Sequence, residues 1–431
     1  MNSSEKSPSP IGWERAGVRV HGGGARSHPQ LPRRAFLRWS AAAILGGGLG
    51  PVVLAQQAPK PSTEEERILA LIENHRPSRL AKLPADFNAR VGATHVAGKY
   101  HLTSKPFLIE GAEKLLELGT RLGKFWFMPD GAAHDYPFNS QWGQYKGFVE
   151  LARSDYFQQL FALPFATVIL EAHSPLEHKW RQPGLTADFY EAVKQEFHDL
   201  AAHLYRTYRD RAMTFVLQHW EGDWMLRGAG EKWNPPPQDW RERCQRMQRW
   251  LRARQAGVAQ ARQELAQGAR CIVAHAAEVN RVADAWKDIP TMTRHVLPEV
   301  ELDLVSYSAY DGLEGSPLHL WKCLEEIRQH ARLGPLFGKD AIYIGEMGIP
   351  ENDRPPRIRE RLDEWMGVLL AAQVRYVVHW ELYCNEFAGQ PASKPKTPVT
   401  DPKLVRGFWL VKPDGSLSES GKYFSGLWKR A

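Results

Sequence analysis

From residue 89 onward the chain repeats one alternation: a short apolar or β-branched run, then a longer stretch with apolar residues three and four apart. Ala89–Val96, Lys124–Met128, Phe165–Glu171, Met213–His219, Arg270–His275, Leu302–Tyr307, Ala341–Gly345 and Tyr376–Trp380 have the length and composition of strands. Between them, Ile109–Leu122, Ala187–Arg209, Trp240–Gln267, Leu318–Leu333 and Ile358–Ala372 carry a helical period. A strand, a crossover helix and a further strand give a parallel pair, so the alternation specifies a parallel sheet with helices outside it. Eight strands in one unbroken series predict an α/β fold of the closed (β/α)8, or TIM barrel, kind rather than an open sheet. No internal repeat interrupts the series. The proline-rich stretch Gln390–Lys403 reads as a loop after the eighth strand, not as a linker between domains.

Residues 1–55 stand apart from that pattern. Arg33 and Arg34, then Phe36-Leu37 and Arg38, precede an apolar stretch from Ala41 to Leu54, a spacing that resembles a twin-arginine export signal. Small residues Val53 and Ala55 offer a cleavage site, so the expected division is a leader at 1–55 and one barrel domain at 56–431. This implies a bacterial protein that meets the twin-arginine translocation machinery and works in the periplasm or outside the cell. The apolar stretch is short and diluted by Gly46, Gly47, Gly48 and Gly50, which argues against a membrane anchor in the mature form. The leader also holds seven basic and two acidic residues, so most of the net charge of +7 lies in it. The remainder is close to neutral and has no basic stripe to recommend a nucleic-acid partner. Cys244, Cys271, Cys323 and Cys384 lie far apart without metal-ligand spacing and read as buried thiols.

In a closed α/β barrel the chemistry sits where the strands end. Those ends are His95; Trp126 to Asp130; Glu171 and His173; His219-Trp220-Glu221; His275; Ser306 to Asp311; Gly345-Glu346-Met347-Gly348; and His379-Trp380-Glu381. The segment LQHWEGDWML places Glu221 and Asp223 between Trp220 and Trp224, and carboxylates are rarely buried without partners. A packing core does not need polar and aromatic groups at every strand end; a binding site does.

This layout resembles the large clan of retaining glycoside hydrolases with (β/α)8 barrels. The resemblance covers roughly Arg90 to Lys429 in layout and rests on short motifs: QHWEGDW, LDLVSYSAYDG, IYIGEMGIP and VVHWE. It implies that Glu221, after strand four, is the acid/base and that Glu346, on strand seven, is the nucleophile. It implies further that Tyr310 supports the nucleophile and that Trp380 is a tryptophan floor beneath the sugar. The expected substrate is an oligo- or polysaccharide, with Trp220, His219, Trp380, Tyr310, His275, Trp126, Trp224 and His173 around it and no cofactor or metal. A retaining reaction needs one carboxylic acid to protonate the leaving oxygen and one carboxylate to attack, roughly 5 Å apart. Two positions depart from the clan: Trp220 stands where Asn usually precedes the acid/base, and Ser308 stands where strand six usually carries His.

Blander readings compete residue by residue. Glu221 can be half of a structural ion pair, Asp223 a loop-capping acid, and the tryptophans packing. Glu381 and Asn385 are candidates for a subsite. A rival class is a metal-dependent (β/α)8 hydrolase or isomerase that gathers His95, His173, His275 and Glu221 around a divalent ion, although no two of these have tight ligand spacing. A third is a carbohydrate-binding barrel without catalysis.

Overall fold

The computed structural model describes residues 63–228, 232–353, 356–389 and 395–431. The expected leader and its paired arginines lie outside the described residues. Eight strands, β1 (Val91–His95), β2 (Leu122–Phe127), β3 (Thr167–Ala172), β4 (Thr214–Gln218), β5 (Ile272–Val279), β6 (Leu304–Ser308), β7 (Ile342–Met347) and β8 (Val377–His379), pair in parallel and in chain order. The ring closes where Val91 of β1 lies in register with Val377 of β8. The architecture is a single (β/α)8 barrel.

Because side chains alternate across a strand, each stave sends one set inward and one set outward. Leu122, Ile169, Val216, Ala274, Ala276, Leu304, Tyr343 and Val378 form an apolar plug inside the barrel. Outward residues such as Phe125, Leu170, Phe215 and Ile344 join the larger core beneath the helices. The helices are α1 (Glu64–Asn74), α2 (Phe107–Leu118), α3 (Asp155–Ala162), α4 (Ala187–Tyr208), α5 (Trp240–Leu265), α6 (Pro317–His330), α7 (Ile358–Ala371) and α8 (Glu419–Trp428), joined by shorter turns of helix. Close packing of α4 on α5 depends on Gly257, where an added Cβ would come within 2.2 Å of the Lys194 carbonyl. Under the barrel, the Trp428 indole of α8 donates to the Val91 carbonyl at 2.9 Å and ties the chain's end to the start of β1.

Sequence periodicity places the long helices within a few residues of their observed ends, and the four cysteines are all buried free thiols. Strand five is the main departure. It continues four residues past His275 to Val279 and so carries Glu278 into the barrel. Among the described residues no helix is long and apolar enough to cross a membrane.

Candidate active site

One residue pair above the apolar plug, the inward positions turn polar. Lys124 of β2, Glu171 of β3, Gln218 of β4, Glu278 of β5 and Ser306 of β6 are all fully buried. An isolated buried ammonium is costly, and Lys124 avoids that cost by lying among three carboxylates. Its Nζ is 2.7 Å from Glu171 Oε2, 3.4 Å from Glu346 Oε1 and 3.8 Å from Glu278 Oε2. Burial opposes the charge on Lys124, but these carboxylates raise its pKa well above the usual lysine range. Carboxylate oxygens of Glu171, Glu278 and Glu346 lie within 4.8 Å of one another, a spacing that suits a cation, and the lysine supplies one.

Strict alternation along β7 would turn Glu346 outward, because Tyr343 and Gly345 face the lumen. A bulge reverses this. Tyr307 and Ser308 of β6 pair with Ile344 and Glu346, while Val377 and His379 of β8 pair with Ile344 and Met347, so β7 carries one extra residue against both neighbours. Gly345 accommodates the crowding: a Cβ there would meet Ser306 Oγ at 2.0 Å and Glu278 Oε2 at 2.2 Å. The result is an inward, fully buried Glu346 beside Lys124.

Glu221 follows β4 and enters the same region from the opposite wall. Its carboxylate accepts a 2.7 Å hydrogen bond from Ser308 Oγ, and its main-chain N–H donates to Glu278 Oε1 at 3.1 Å. Ser308 lies in register with Glu346, so one serine sits between the two candidate carboxylates. Asp223, two residues on, accepts main-chain N–H groups of Asn280 (3.0 Å), Arg281 (3.2 Å) and Met292 (2.7 Å). It pins the loop after β4 to the loop after β5, the loop-holding role among the readings of the sequence.

Glu278 is the group that the sequence left out. It accepts from Gln218 Nε2 at 3.0 Å and Ser306 Oγ at 2.6 Å as well as from the Glu221 N–H. Burial and the neighbouring Glu346 and Glu171 outweigh Lys124 and push its pKa up to about 8. Glu171 goes the other way. Burial opposes its ionisation, but Lys124 and His173 hold its pKa at about 2.

At the mouth, His173 bridges Glu171 (3.4 Å) and Glu177 (3.0 Å) and packs against Trp126, with ring centroids 5.5 Å apart. Burial disfavours its charge, yet the two carboxylates raise its pKa to about 10. Trp380 is buried at the end of β8, its N–H bonded to the Met347 carbonyl at 2.7 Å. Next to it, Glu381 accepts the Asn385 N–H at 3.0 Å. Trp220, Trp224 and Tyr310 are half-buried near the ends of β4 and β6; Arg281 lies 5.3 Å over the Trp224 ring, and Tyr310 meets Phe408 edge-on.

Two expected site histidines, His219 and His275, and His95 of the rival metal-site reading point away from the lumen. His219 Nδ1 donates to the Trp220 carbonyl (2.7 Å), its Nε2 accepts the Glu278 N–H (3.2 Å), and its ring lies against Trp250 of α5. Burial lowers its pKa to about 3, as expected for a neutral ring in a wall. His275 is outward on β5, 3.2 Å from Arg254 Nε, and His95 is outward on β1, bonded to the Phe107 carbonyl at 2.8 Å. His219 and His275 therefore serve the barrel wall rather than a substrate. The histidine metal cluster of the rival reading is not assembled either, since His95 and His275 face the helices on different sides of the barrel.

No protein-family model matches the sequence, and no curated protein matches it. Among solved structures, the chain is similar to a family 1 β-glucosidase from Thermotoga maritima at 12% identity, covering 81% of this chain and 99% of that one with a TM-score of 0.49. It is similar to a β-glycosidase from Pyrococcus horikoshii at 11% identity, over 81% and 95% of the chains, with a TM-score of 0.48. A broad-specificity endoglucanase from Clostridium longisporum follows at 10% identity, over 79% and 95%, with a TM-score of 0.42.

Proposed function

We propose that the chain is a retaining glycoside hydrolase in which Glu346 attacks the anomeric carbon and Glu221 protonates the leaving oxygen. The observation that carries this reading is the β7 bulge, which brings Glu346 into the barrel beside Ser308, the residue that holds Glu221. Lys124, 3.4 Å from Glu346 Oε1, supports the nucleophile as an anion. The second step of the reaction then uses Glu221 as base, activating water against the glycosyl-enzyme ester. The substrate is an oligo- or polysaccharide, with Trp126, Trp380 and Trp220 as aromatic surfaces at the mouth. Glu346 is fully buried and Glu221 is 4% exposed, so entry of a sugar requires the βα segments at the mouth to part. Export through the twin-arginine route, followed by action in the periplasm or beyond, completes the proposal.

The test is a pair of alanine variants assayed on aryl glycosides with azide. Glu346→Ala loses several orders of magnitude in turnover, and azide restores some of it with inverted product. Glu221→Ala suffers most on poor leaving groups, and azide restores it with retained configuration. Near wild-type rates in both variants would sink the assignment.

A further inference from the structure

The ion pairs around Lys124 continue outward as one connected set. Glu171 joins Lys124 to His173, His173 joins Glu171 to Glu177, and Glu177 lies 3.5 Å from Arg254, itself buried under Trp250 and Phe197. Glu278 and Glu346 join the set on the other side of Lys124. Arg181 and Glu196 flank its outer end with opposite charges. Carboxylates of Glu171, Glu278 and Glu346 crowd within 4.8 Å of one another around Lys124, and like charges buried that close favour a proton on one of them.

Distances select which one. Lys124 stands 2.7 Å from Glu171, 3.4 Å from Glu346 and 3.8 Å from Glu278, and His173 adds a second cation to Glu171. Glu278 is the carboxylate farthest from the ammonium. Charged or titratable groups reach it from β2 (Lys124), β3 (Glu171), the end of β4 (Glu221 and His219) and β7 (Tyr343 and Glu346), while β6 brings the Ser306 hydroxyl. Among the described residues the cation that reaches Glu278 is Lys124, since His219 presents an unprotonated Nε2 to the Glu278 N–H. Ser306 Oγ, 2.6 Å from Glu278 Oε2, is a hydroxyl able to donate or accept, so a proton on that oxygen keeps its hydrogen bond.

We infer that Glu278 is a positioning residue held as the neutral carboxylic acid: its proton leaves the Lys124 ammonium to Glu171 and Glu346 as anions, and it orients Glu221 through the main-chain N–H. The link to catalysis rests on the assignment of Glu221 and Glu346 above; the buried proton does not. Ionising Glu278 adds a negative charge within 4.8 Å of Glu346 and divides the same ammonium among three anions.

Infrared difference spectroscopy of the whole protein, with Glu278→Gln as reference, tests it. The wild type shows a buried carboxylic C=O band at pH 6 that shifts in deuterium oxide, fades as pH rises, and is missing from Glu278→Gln. Should that variant fail to fold, Ser306→Ala serves instead, since removing the hydroxyl moves both the band and its titration. Absence of the band at pH 6, or its persistence in Glu278→Gln, overturns the inference. In kinetics, Glu278→Gln displaces the alkaline limb of kcat to higher pH while KM changes little; a limb identical to wild type overturns the positioning role. Active Glu221 and Glu346 alanine variants would remove the glycosidase assignment and leave the infrared result standing.

Discussion

Ser308 Oγ donates a 2.7 Å hydrogen bond to Glu221 Oε1 from a strand position directly beside Glu346. A single hydroxyl on β6 therefore orients a carboxylate delivered by β4. Glu221 is a long, flexible side chain on a loop, and without that bond its rotamers multiply. Replacing Ser308 by alanine is expected to lower kcat/KM about tenfold or more on glycosides with poor leaving groups, in line with loss of a hydrogen bond to a charged group. Activated aryl glycosides lose much less. A leaving-group series on Ser308→Ala checks this, and equal losses along the series contradict it.

Lys124→Met is expected to destabilise the fold by about 3–5 kcal/mol, because it leaves buried carboxylates without their ammonium. Adding Glu171→Leu removes the carboxylate closest to the missing lysine. Denaturant unfolding of the two variants should find the double variant more stable than Lys124→Met alone; additive losses would show that the pair is not coupled.

His173 makes stability depend on pH in a defined window. Its folded pKa of about 10 lies above the ordinary value of 6.5, so the native state binds its proton more tightly than the unfolded chain does. That contribution is complete below about 6.5 and is lost as pH rises through about 10. Glu171, depressed to about 2, contributes above the usual glutamate range and loses its contribution as pH falls towards 2. Glu278 has the opposite sign from Glu171: with a folded pKa of about 8 its contribution declines from about 4.5 upward. Thermal melts of the wild type minus His173→Gln should therefore diverge below pH 6.5 and converge near pH 10. A constant offset would contradict the ion-pair role.

Asp223 is fully buried and accepts three main-chain N–H groups. Asp223→Ala leaves all three without their acceptor and is expected to cost about 3 kcal/mol or more. Unfolding measurements set the stability loss. Proteolysis of the native variant should map the loosened region to the loops after β4 and β5, and cleavage elsewhere would argue for a different role.

The barrel was legible because two periods, near two and near 3.6, alternate along the chain, and the expected α4, Ala187–Arg209, differs from the observed Ala187–Tyr208 by one residue. The polar layer was not. Lys124 looks like the solvated start of a strand until Leu122 is seen to begin it. Glu278 lies beyond the apparent end of strand five, since His275 interrupts the apolar run, although Ala274, Ala276 and Glu278 keep the inward period. Strand-end histidines misled for a related reason: sequence gives the level of a residue in the barrel more readily than the side of the wall it faces. His219 and His275 are at strand-end levels in the sequence reading but face α5.

The extra residue in β7 makes the chemistry of this barrel a matter of parity. Flatten the bulge with Gly345 kept in the ladder, and Gly345 takes the inward place opposite Ser308 while Glu346 turns out towards the helices; delete Gly345 instead, and the glutamate keeps its inward place. A flattened β7 of the same sequence still hydrogen-bonds to β6 and β8, so the barrel keeps its staves while the inward carboxylate beside Lys124 gives way to a glycine. Comparisons among related barrels that score only residue identity would miss such a change; the informative character is which residue of β7 pairs with Ser308.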